Sequence, residues 1–284
     1  MTYAEFIATA TLSLQQTLSL DRAEAHSRAR LLLDGITGAR YSHLMSPDQQ
    51  LEPWQEQRSR QWLVDALRGR PIPYILGRAA FYGLEFEVDE HVLIPRPETE
   101  LLVETALDLL QDRRSPRIAD LGTGSGIIAV SLAKRRPQSQ VFASDLSKDA
   151  LEIARKNAAR HDVAVQFEQS EGDWLSPVAP YAPFDAILSN PPYIPALEIE
   201  TLEIGVRDFE PRLALDGGKD GLDPYRELAA GSANLLLPDG FVAVEFGAGQ
   251  FAALSSLFNG HGWQVDAPRR DFAGIERVLV ARRK

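Results

Sequence analysis

Hydrophobic and polar positions follow two different periods in the first third of the chain. Up to about residue 75, apolar residues recur at mixed three- and four-residue spacing, as in "AEAHSRARLLLDGI" and "PWQEQRSRQWLVDALRG", which predicts helices with one apolar face. From residue 79 to 95, aromatic and β-branched residues alternate with polar ones, which predicts a short hairpin. We therefore expect a helical bundle over residues 1–75 and a β-hairpin linker over 76–96.

Residues 97–284 show a third pattern, in which short apolar runs alternate with helical stretches. The predicted strands are 117–122, 140–145, 163–169, 184–190, 240–246 and 277–282. The predicted helices between them are 126–136, 148–160, 222–236 and 249–259. This alternation predicts an α/β domain with a mostly parallel sheet covered on both faces. Residues 263–266 and 277–282 are separated only by a loop, so we expect an antiparallel pair at one edge.

A glycine-rich loop, "DLGTGSGIIAV", follows the first strand of this domain and opens a helix. Gly122, Gly124 and Gly126 allow a sharp turn and a close approach of backbone to a ligand. Close packing of the strand against the helix would require the same residues. The G-x-G-x-G spacing differs from the G-x-G-x-x-G of dinucleotide sites, and no P-loop lysine follows. The loop, Gly122 to Gly126 with Thr123 and Ser125, is therefore a candidate site for a ligand without a pyrophosphate.

An acidic residue, Asp145, ends the next strand, 19 residues after Gly126. At that position a carboxylate can accept hydrogen bonds from both ribose hydroxyls, although it could instead cap the helix that begins near Ser147. Asp120 is either structural or faces a positively charged ligand group. A nucleoside that carries a cation fits this set, and S-adenosylmethionine is such a molecule. Trp174, in "EGDWL" after the third strand, either packs on the adenine or fills the core.

The fourth strand ends in "SNPPYI", at the same edge of the sheet. Pro191 and Pro192 stiffen the turn and so fix Asn190 and Tyr193. If the ligand donates a methyl group, a planar amide or amino nitrogen would be a difficult acceptor, because its delocalised lone pair makes it a poor nucleophile. The Asn190 carbonyl and a nearby backbone carbonyl can accept its two hydrogens, while the Tyr193 ring stabilises the developing positive charge. We predict that Asn190, Pro191 and Tyr193 are catalytic and that residues 190–193 bind substrate.

Composition and charge indicate where the protein acts and which kinds of partner it binds. The chain has 284 residues, 44% of them hydrophobic, no cysteine and a formal net charge of −10. The absence of cysteine and of any signal-like or membrane-spanning stretch predicts a cytoplasmic protein, and the isolated histidines predict no metal site. The acidic charge and the lack of a basic run disfavour direct binding of nucleic acid. We also expect no membrane contact and a monomer.

Several segments together resemble the release factor glutamine methyltransferases, the HemK or PrmC family. They are "FYGLEFEVDEHVLIPRPETELLVE", "IADLGTGSGIIAVSLA", "ASDLSKDALEIARKNAAR", "FDAILSNPPYI" and "EPRLALDGGKDGLDPYRELA". The resemblance implies a Rossmann-like class I methyltransferase domain over 97–284. It also implies methylation of the glutamine amide in the Gly-Gly-Gln loop of class 1 peptide chain release factors, with S-adenosylmethionine as donor. Residues 122–126, Asp145, Trp174 and Asn190 would then contact the donor, and the helical bundle would dock the release factor.

Other readings stay open at this point. A sister methylase modifies a glutamine of a large-subunit ribosomal protein, adenine-amino DNA methylases share an Asn-Pro-Pro-Tyr-like turn, and an adaptor could bind the nucleoside without catalysis. "RPETE" resembles the release factor branch best, while the acidic charge and the absence of a target-recognition insert disfavour DNA. Arg96 and Glu98 are expected at the junction of hairpin and domain, as structural residues or as residues that close the cofactor pocket.

Overall fold

The computed structural model describes residues 1–169 and 174–283, and the elements are numbered in chain order. The helices are α1 (Tyr3–Leu18), α2 (Arg22–Thr37), α3 (Ser42–Met45), α4 (Pro53–Leu67), α5 (Ile72–Leu76), α6 (Glu100–Leu109), α7 (Ile127–Arg135), α8 (Lys148–Arg160), α9 (Ile204–Arg207), α10 (Asp223–Gly231) and α11 (Phe251–Gly260). The strands are β1 (Arg78–Phe81), β2 (Leu84–Glu87), β3 (Arg117–Leu121), β4 (Gln140–Asp145), β5 (Gln166–Gln169), β6 (Phe184–Ser189), β7 (Leu236–Glu245), β8 (Trp263–Val265), β9 (Arg269–Arg270) and β10 (Glu276–Arg283).

The chain forms two compact units. One contains residues 1–78 together with 203–209, and the other contains 79–202 and 210–284. The 203–209 segment, with α9, thus belongs to the first unit although it lies far along the chain. Nothing in the local sequence pattern indicates this membership, because it depends on contacts between distant parts of the chain.

The first unit is a helical bundle with an apolar interior. Helix α1 begins with a capping box, in which the Thr2 hydroxyl accepts from the Glu5 amide and the Glu5 carboxylate accepts from the Thr2 amide. Leu14, Leu32 and Leu33 are fully buried in one cluster formed mainly by α1 and α2. The helices expected at the start of the chain therefore form because their apolar faces pack against one another.

The second unit is built on a twisted sheet with strand order β5-β4-β3-β6-β7-β10-β8, and β9 pairs with β10. Strands β5, β4, β3, β6 and β7 run parallel to one another, and β10 is antiparallel to both β7 and β8. Helices and apolar clusters cover both faces of this sheet. The prediction of a mostly parallel α/β sheet with an antiparallel strand near one edge is confirmed.

Several local details differ from the sequence prediction; strand β5, for example, begins at Gln166 and helix α10 ends at Gly231. The hairpin strands end at Glu87, with Tyr82 and Gly83 both at positive φ in the turn, as a tight two-residue hairpin turn requires. Strand β7 begins at Leu236, four residues earlier than expected. Strand β10 lies inside the sheet, between β7 and β8, so β8 is the edge strand. The apolar pattern of a segment predicts that it is a strand, but it does not predict which strands it pairs with in the sheet.

The order of strands brings three carboxyl ends together. Strands β4, β3 and β6 are consecutive and parallel, so Asp145, the loop after Leu121 and the corner after Ser189 all leave the sheet on the same edge. Ligands of open α/β sheets bind at such an edge, where the connections from neighbouring strands diverge. Among the described residues, no helix combines the length and apolar character that a membrane crossing requires.

Candidate active site

The glycine loop between β3 and α7 needs glycine for two different reasons. Gly122, Gly124 and Gly126 have φ of 68°, 54° and 84°, in the left-handed region that side chains rarely adopt. A Cβ on Gly126 would lie 3.2 Å from the Cβ of Ala154, so this glycine permits close packing of α7 on α8. A Cβ on Gly124 would meet nothing within 4 Å. Gly124 therefore borders open space, in which a ligand can approach the backbone.

Asp145, at the end of β4, holds the glycine loop in place. Its Oδ2 accepts a hydrogen bond from the Gly124 amide at 2.8 Å, and its Oδ1 accepts from the Ser147 amide at 2.9 Å. Burial raises the pKa of Asp145, while these amides lower it. The N-cap of α8 is Ser147, whose hydroxyl accepts from the Ala150 amide. The carboxylate of Asp145 therefore retains acceptor capacity for a ligand.

Asp120 lies under the loop and is not among the residues that line the neighbouring cavity. Its side chain is fully buried, with Oδ2 accepting from the Thr123 hydroxyl at 2.6 Å and from the Ala129 amide at 3.2 Å. Burial, with a smaller contribution from the nearby Asp145, raises its pKa to about 7 against the lowering effect of the two donors. Of the two expectations for Asp120, the structure supports the structural one.

The corner after β6 is anchored on both sides. The Ser189 hydroxyl donates to the Leu121 carbonyl at 2.7 Å, which ties the corner to the glycine loop. The Asn190 Nδ2 donates to the Thr99 hydroxyl at 3.1 Å. Pro191 is buried. Burial, with a smaller contribution from Glu245, raises the pKa of Tyr193 to about 12, so its phenol stays neutral at physiological pH.

A second segment, residues 216–221, packs against this corner from the other side. Ile194 forms a parallel bridge with Asp216. A Cβ on Gly217 would lie 2.9 Å from the Pro192 carbonyl oxygen, and one on Gly221 would lie 2.4 Å from the Tyr193 carbonyl oxygen. Residues 216–221, "DGGKDG", therefore support the corner at residues 190–193. Sequence reasoning used this motif only as a mark of resemblance, although paired glycines after an acidic residue indicate a close approach of backbones.

Arg96 also belongs to the site. Its guanidinium pairs with Glu210 at 2.6 Å, and the other oxygen of Glu210 accepts from the Ile94 amide at 3.3 Å. Burial raises the pKa of Glu210, against the lowering effect of Arg96. The pair therefore ties residues 94–96 to Glu210, and Arg96 also lines the cavity described next.

A cavity of about 470 Å³ opens between these elements, within the usual range for small-molecule sites. The predicted site residues that line it are Gly122, Thr123, Gly124, Ser125, Asp145, Trp174, Asn190 and Pro192. Gly126, Pro191 and Tyr193 are not among the lining residues. Trp174 lies against the loop, since a Cβ on Gly122 would be 3.0 Å from its ring. The rest of "EGDWL", residues 171–173, lies outside the described residues.

The charges around the cavity favour a cationic ligand. Five carboxylates line it, namely Glu90, Asp145, Asp216, Asp223 and Glu227. The side chains of Arg96 and His91 line it as well. Within residues 1–169 and 174–283, no three His, Cys, Asp or Glu side chains are grouped so that they could hold a metal ion.

The fold and the site together define a class I methyltransferase. The "Methyltransferase small domain" family model matches residues 97–205. A methyltransferase from Pyrococcus furiosus is 18% identical, with a TM-score of 0.53 and coverage of 80% of this chain and 97% of that one, which shows a shared fold.

Curated relatives identify the family within this class. The release factor glutamine methyltransferase of Bordetella pertussis is 42% identical over 94% of this chain and 98% of its own length. That of Agrobacterium fabrum is 39% identical over 90% and 89%. The chain belongs to the release factor glutamine methyltransferase family, and the resemblance inferred from the sequence is confirmed.

Proposed function

We propose that this protein transfers a methyl group from S-adenosylmethionine to the side-chain amide nitrogen of the glutamine in the Gly-Gly-Gln motif of class 1 peptide chain release factors. The observation that carries the proposal is the fixed amide of Asn190 at the cavity, beside the glycine loop. The names of the relatives support the choice of substrate. A cytoplasmic setting agrees with the absence of cysteine.

The cavity suits S-adenosylmethionine as methyl donor. Asp145 would accept from the ribose hydroxyls, Gly124 leaves open space beside the loop, and the Trp174 ring lies where it can pack against the adenine. The surrounding carboxylates suit a ligand that carries a sulfonium and an ammonium group. The donor supplies an electrophilic methyl group whose leaving thioether is neutral. No strong base is therefore needed in the protein.

The corner at residues 190–193 would activate the substrate amide nitrogen, which is a weak nucleophile. Because Asn190 Nδ2 is engaged by Thr99, its Oδ1 remains to accept a hydrogen from the substrate amide. A backbone carbonyl of the corner accepts the second hydrogen. Both acceptors favour positive charge on the nitrogen as it forms its new bond, and the amide loses its proton afterwards to solvent. The prolines and residues 216–221 hold this geometry before substrate arrives.

Tyr193 keeps its proposed role as an aromatic partner of the reacting amide, which requires its ring to approach the cavity in the complex with substrate. Two alternatives differ from the proposal in the methyl acceptor, which would be a glutamine of a large-subunit ribosomal protein or an adenine amino group of DNA. In a third alternative the protein is an adaptor that binds the nucleoside and transfers no methyl group.

One experiment separates these functions. The purified protein is incubated with S-adenosylmethionine labelled in its methyl group and, in separate reactions, with a class 1 release factor, the large-subunit ribosomal protein and duplex DNA. We expect label in the release factor only, and none when its motif glutamine is replaced by glutamate. Label confined to the ribosomal protein or to DNA would overturn the substrate assignment, and no label in any acceptor would favour the adaptor.

A matched pair of variants tests the role of the corner. Asn190→Ala removes the proposed acceptor and should lower kcat by about a hundredfold or more, as loss of a preorganised hydrogen bond at a reacting centre does. Asn259→Ala alters an exposed asparagine on α11 whose side chain donates to Ser255, one turn earlier on the same helix, and it should leave kcat unchanged. Equal rates for both variants would show that Asn190 does not act on the amide.

A further inference from the structure

Asn157 is a fully buried polar residue on α8 that does not line the cavity. Its Oδ1 accepts a hydrogen bond from the Glu87 amide at 2.7 Å, and its Nδ2 donates to the Glu87 carbonyl at 3.0 Å. The same Nδ2 donates to the Ser125 carbonyl at 2.9 Å. One carboxamide thus joins the last residue of β2 to the glycine loop.

The backbone partners fix the orientation of this carboxamide. Two of them are carbonyl groups, which can only accept, and the third is an amide, which can only donate. The Asn157 oxygen must therefore face the Glu87 amide, and its NH₂ group must face the two carbonyls. Asparagine satisfies all three groups at once. An ionised carboxylate could not donate to the carbonyls, and an aliphatic side chain would offer none of the three a partner.

The two segments that Asn157 joins form separate walls of the cavity. Thr123, Gly124 and Ser125 line it from the glycine loop. Residues 90–93, which follow β2 along the chain, line it from the linker. Because Asn157 bonds the glycine loop and the end of β2 with one rigid group, it sets the spacing of these two walls.

We propose that Asn157 is a positioning residue for the methyl donor, which it does not touch. By joining the glycine loop to the linker, it holds both walls in the donor-binding arrangement before the donor arrives. A preorganised site loses less conformational freedom on binding and therefore binds more tightly. Asp145 fixes the same loop to β4 through the Gly124 amide, whereas Asn157 fixes it to the linker. This inference rests on the proposed use of S-adenosylmethionine.

Two variants of Asn157 and one control test the inference. Asn157→Asp keeps the shape and the acceptor oxygen, but it places a second acceptor against the carbonyls of Ser125 and Glu87. Asn157→Ser removes the link and leaves room for water. The control, Asp185→Ala, removes another buried side chain that accepts from a backbone amide, that of Arg117 at 2.8 Å. Asp185 lies near the amino end of β6, at the edge of the sheet opposite the cavity.

Donor affinity is measured by calorimetry without any methyl acceptor, together with the unfolding midpoint with and without donor. We expect both Asn157 variants to bind the donor about tenfold more weakly, since a lost hydrogen bond is worth about one tenfold step in an equilibrium constant. The donor should then raise their midpoints less than it raises that of the wild type. At saturating donor, kcat and the KM for the release factor should stay within about threefold. Asp185→Ala should lower the midpoint and bind the donor like the wild type.

The opposite pattern overturns the inference. If Asn157 only stabilises the fold, its variants will have lower midpoints and yet bind the donor as tightly as Asp185→Ala does. If Asp185→Ala loses as much donor affinity as the Asn157 variants, the loss reflects general destabilisation, and the positioning role is rejected as well.

A second readout needs no variant. In the wild type, hydrogen exchange of the Gly124 and Glu87 amides is compared with and without the donor. The donor should slow the exchange of both amides, because Asn157 transmits the ordering of the loop to Glu87. Slower exchange at Gly124 alone, or at neither amide, would reject the link even if both variants fail to fold. A wild type that binds the donor but methylates no release factor would instead reject the proposed function and leave this inference intact.

Discussion

A substitution at Gly221 can move the corner at residues 190–193 without removing any of its chemical groups. The φ of Gly221 is +75°, and a Cβ at this position would lie 2.4 Å from the carbonyl oxygen of Tyr193. A comfortable carbon–oxygen contact is about 3.4 Å or longer, so Gly221→Ala must push the corner back by about 1 Å. The obstructing atom is backbone, which cannot rotate away.

A displacement of that size at a reacting centre lowers the rate about a hundredfold, equivalent to roughly 2.7 kcal/mol in the activation barrier. The left-handed φ adds about 1–2 kcal/mol of strain to the folded state. We therefore expect Gly221→Ala to lose kcat for methyl transfer to the release factor while it still folds, with a lower unfolding midpoint.

Gly274→Ala is the matched control. Gly274 has φ +80° in the same unit, but a Cβ there would meet nothing within 4 Å. It should therefore show the strain without the displacement, as a lowered midpoint with unchanged kcat. If folded Gly221→Ala and Gly274→Ala have the same kcat, residues 216–221 do not position the corner, and the reasoning is wrong.

Three further outcomes follow from the same structure. Asp145→Ala should weaken donor binding in calorimetry by at least about tenfold, as loss of a hydrogen bond to a charged group implies. Asp21→Ala removes the N-cap of α2, in the first unit and not among the residues that line the cavity, and should cost about 1 kcal/mol of stability without changing donor affinity. Equal donor affinities for the two variants would contradict the ribose role. Because burial raises the pKa of Asp120 from 3.8 to about 7, the folded protein holds a proton there that the unfolded chain releases, so stability should fall as pH rises from about 4 to 7. In Asp120→Asn that slope should be shallower by up to about 1.4 kcal/mol per pH unit, measured by denaturant unfolding, and an unchanged slope would show that Asp120 is ionised in the fold. Arg96→Ala leaves the buried Glu210 unpaired and should lower the free energy of unfolding by about 3 kcal/mol, and a loss below about 0.5 kcal/mol would show that the pair is solvated.

Much of the second unit could be predicted from the sequence because its signals are local. Apolar runs that each end in a polar turn mark the parallel strands, and the rule for open α/β sheets then places Asp145, the glycine loop and Asn190 at one edge. The structure brings these residues to one cavity. Their roles in binding and catalysis remain predictions for the experiments above.

Other features depend on contacts that no local pattern records. The insertion of β10 between β7 and β8 and the membership of residues 203–209 in the first unit both join distant parts of the chain. The partners of Asn190 are equally remote, since Thr99 precedes it by 91 residues. "RPETE" indicated that this segment mattered, but only the folded chain shows which of its side chains reaches the corner.

The most direct test of the account is a crystal structure of the protein with the demethylated donor, S-adenosylhomocysteine, and a release factor. The account predicts that the motif glutamine enters the cavity with its amide nitrogen about 3 Å from Asn190 Oδ1 and directed at the sulfur. A glutamine bound elsewhere, or a corner turned away from the sulfur, would contradict it.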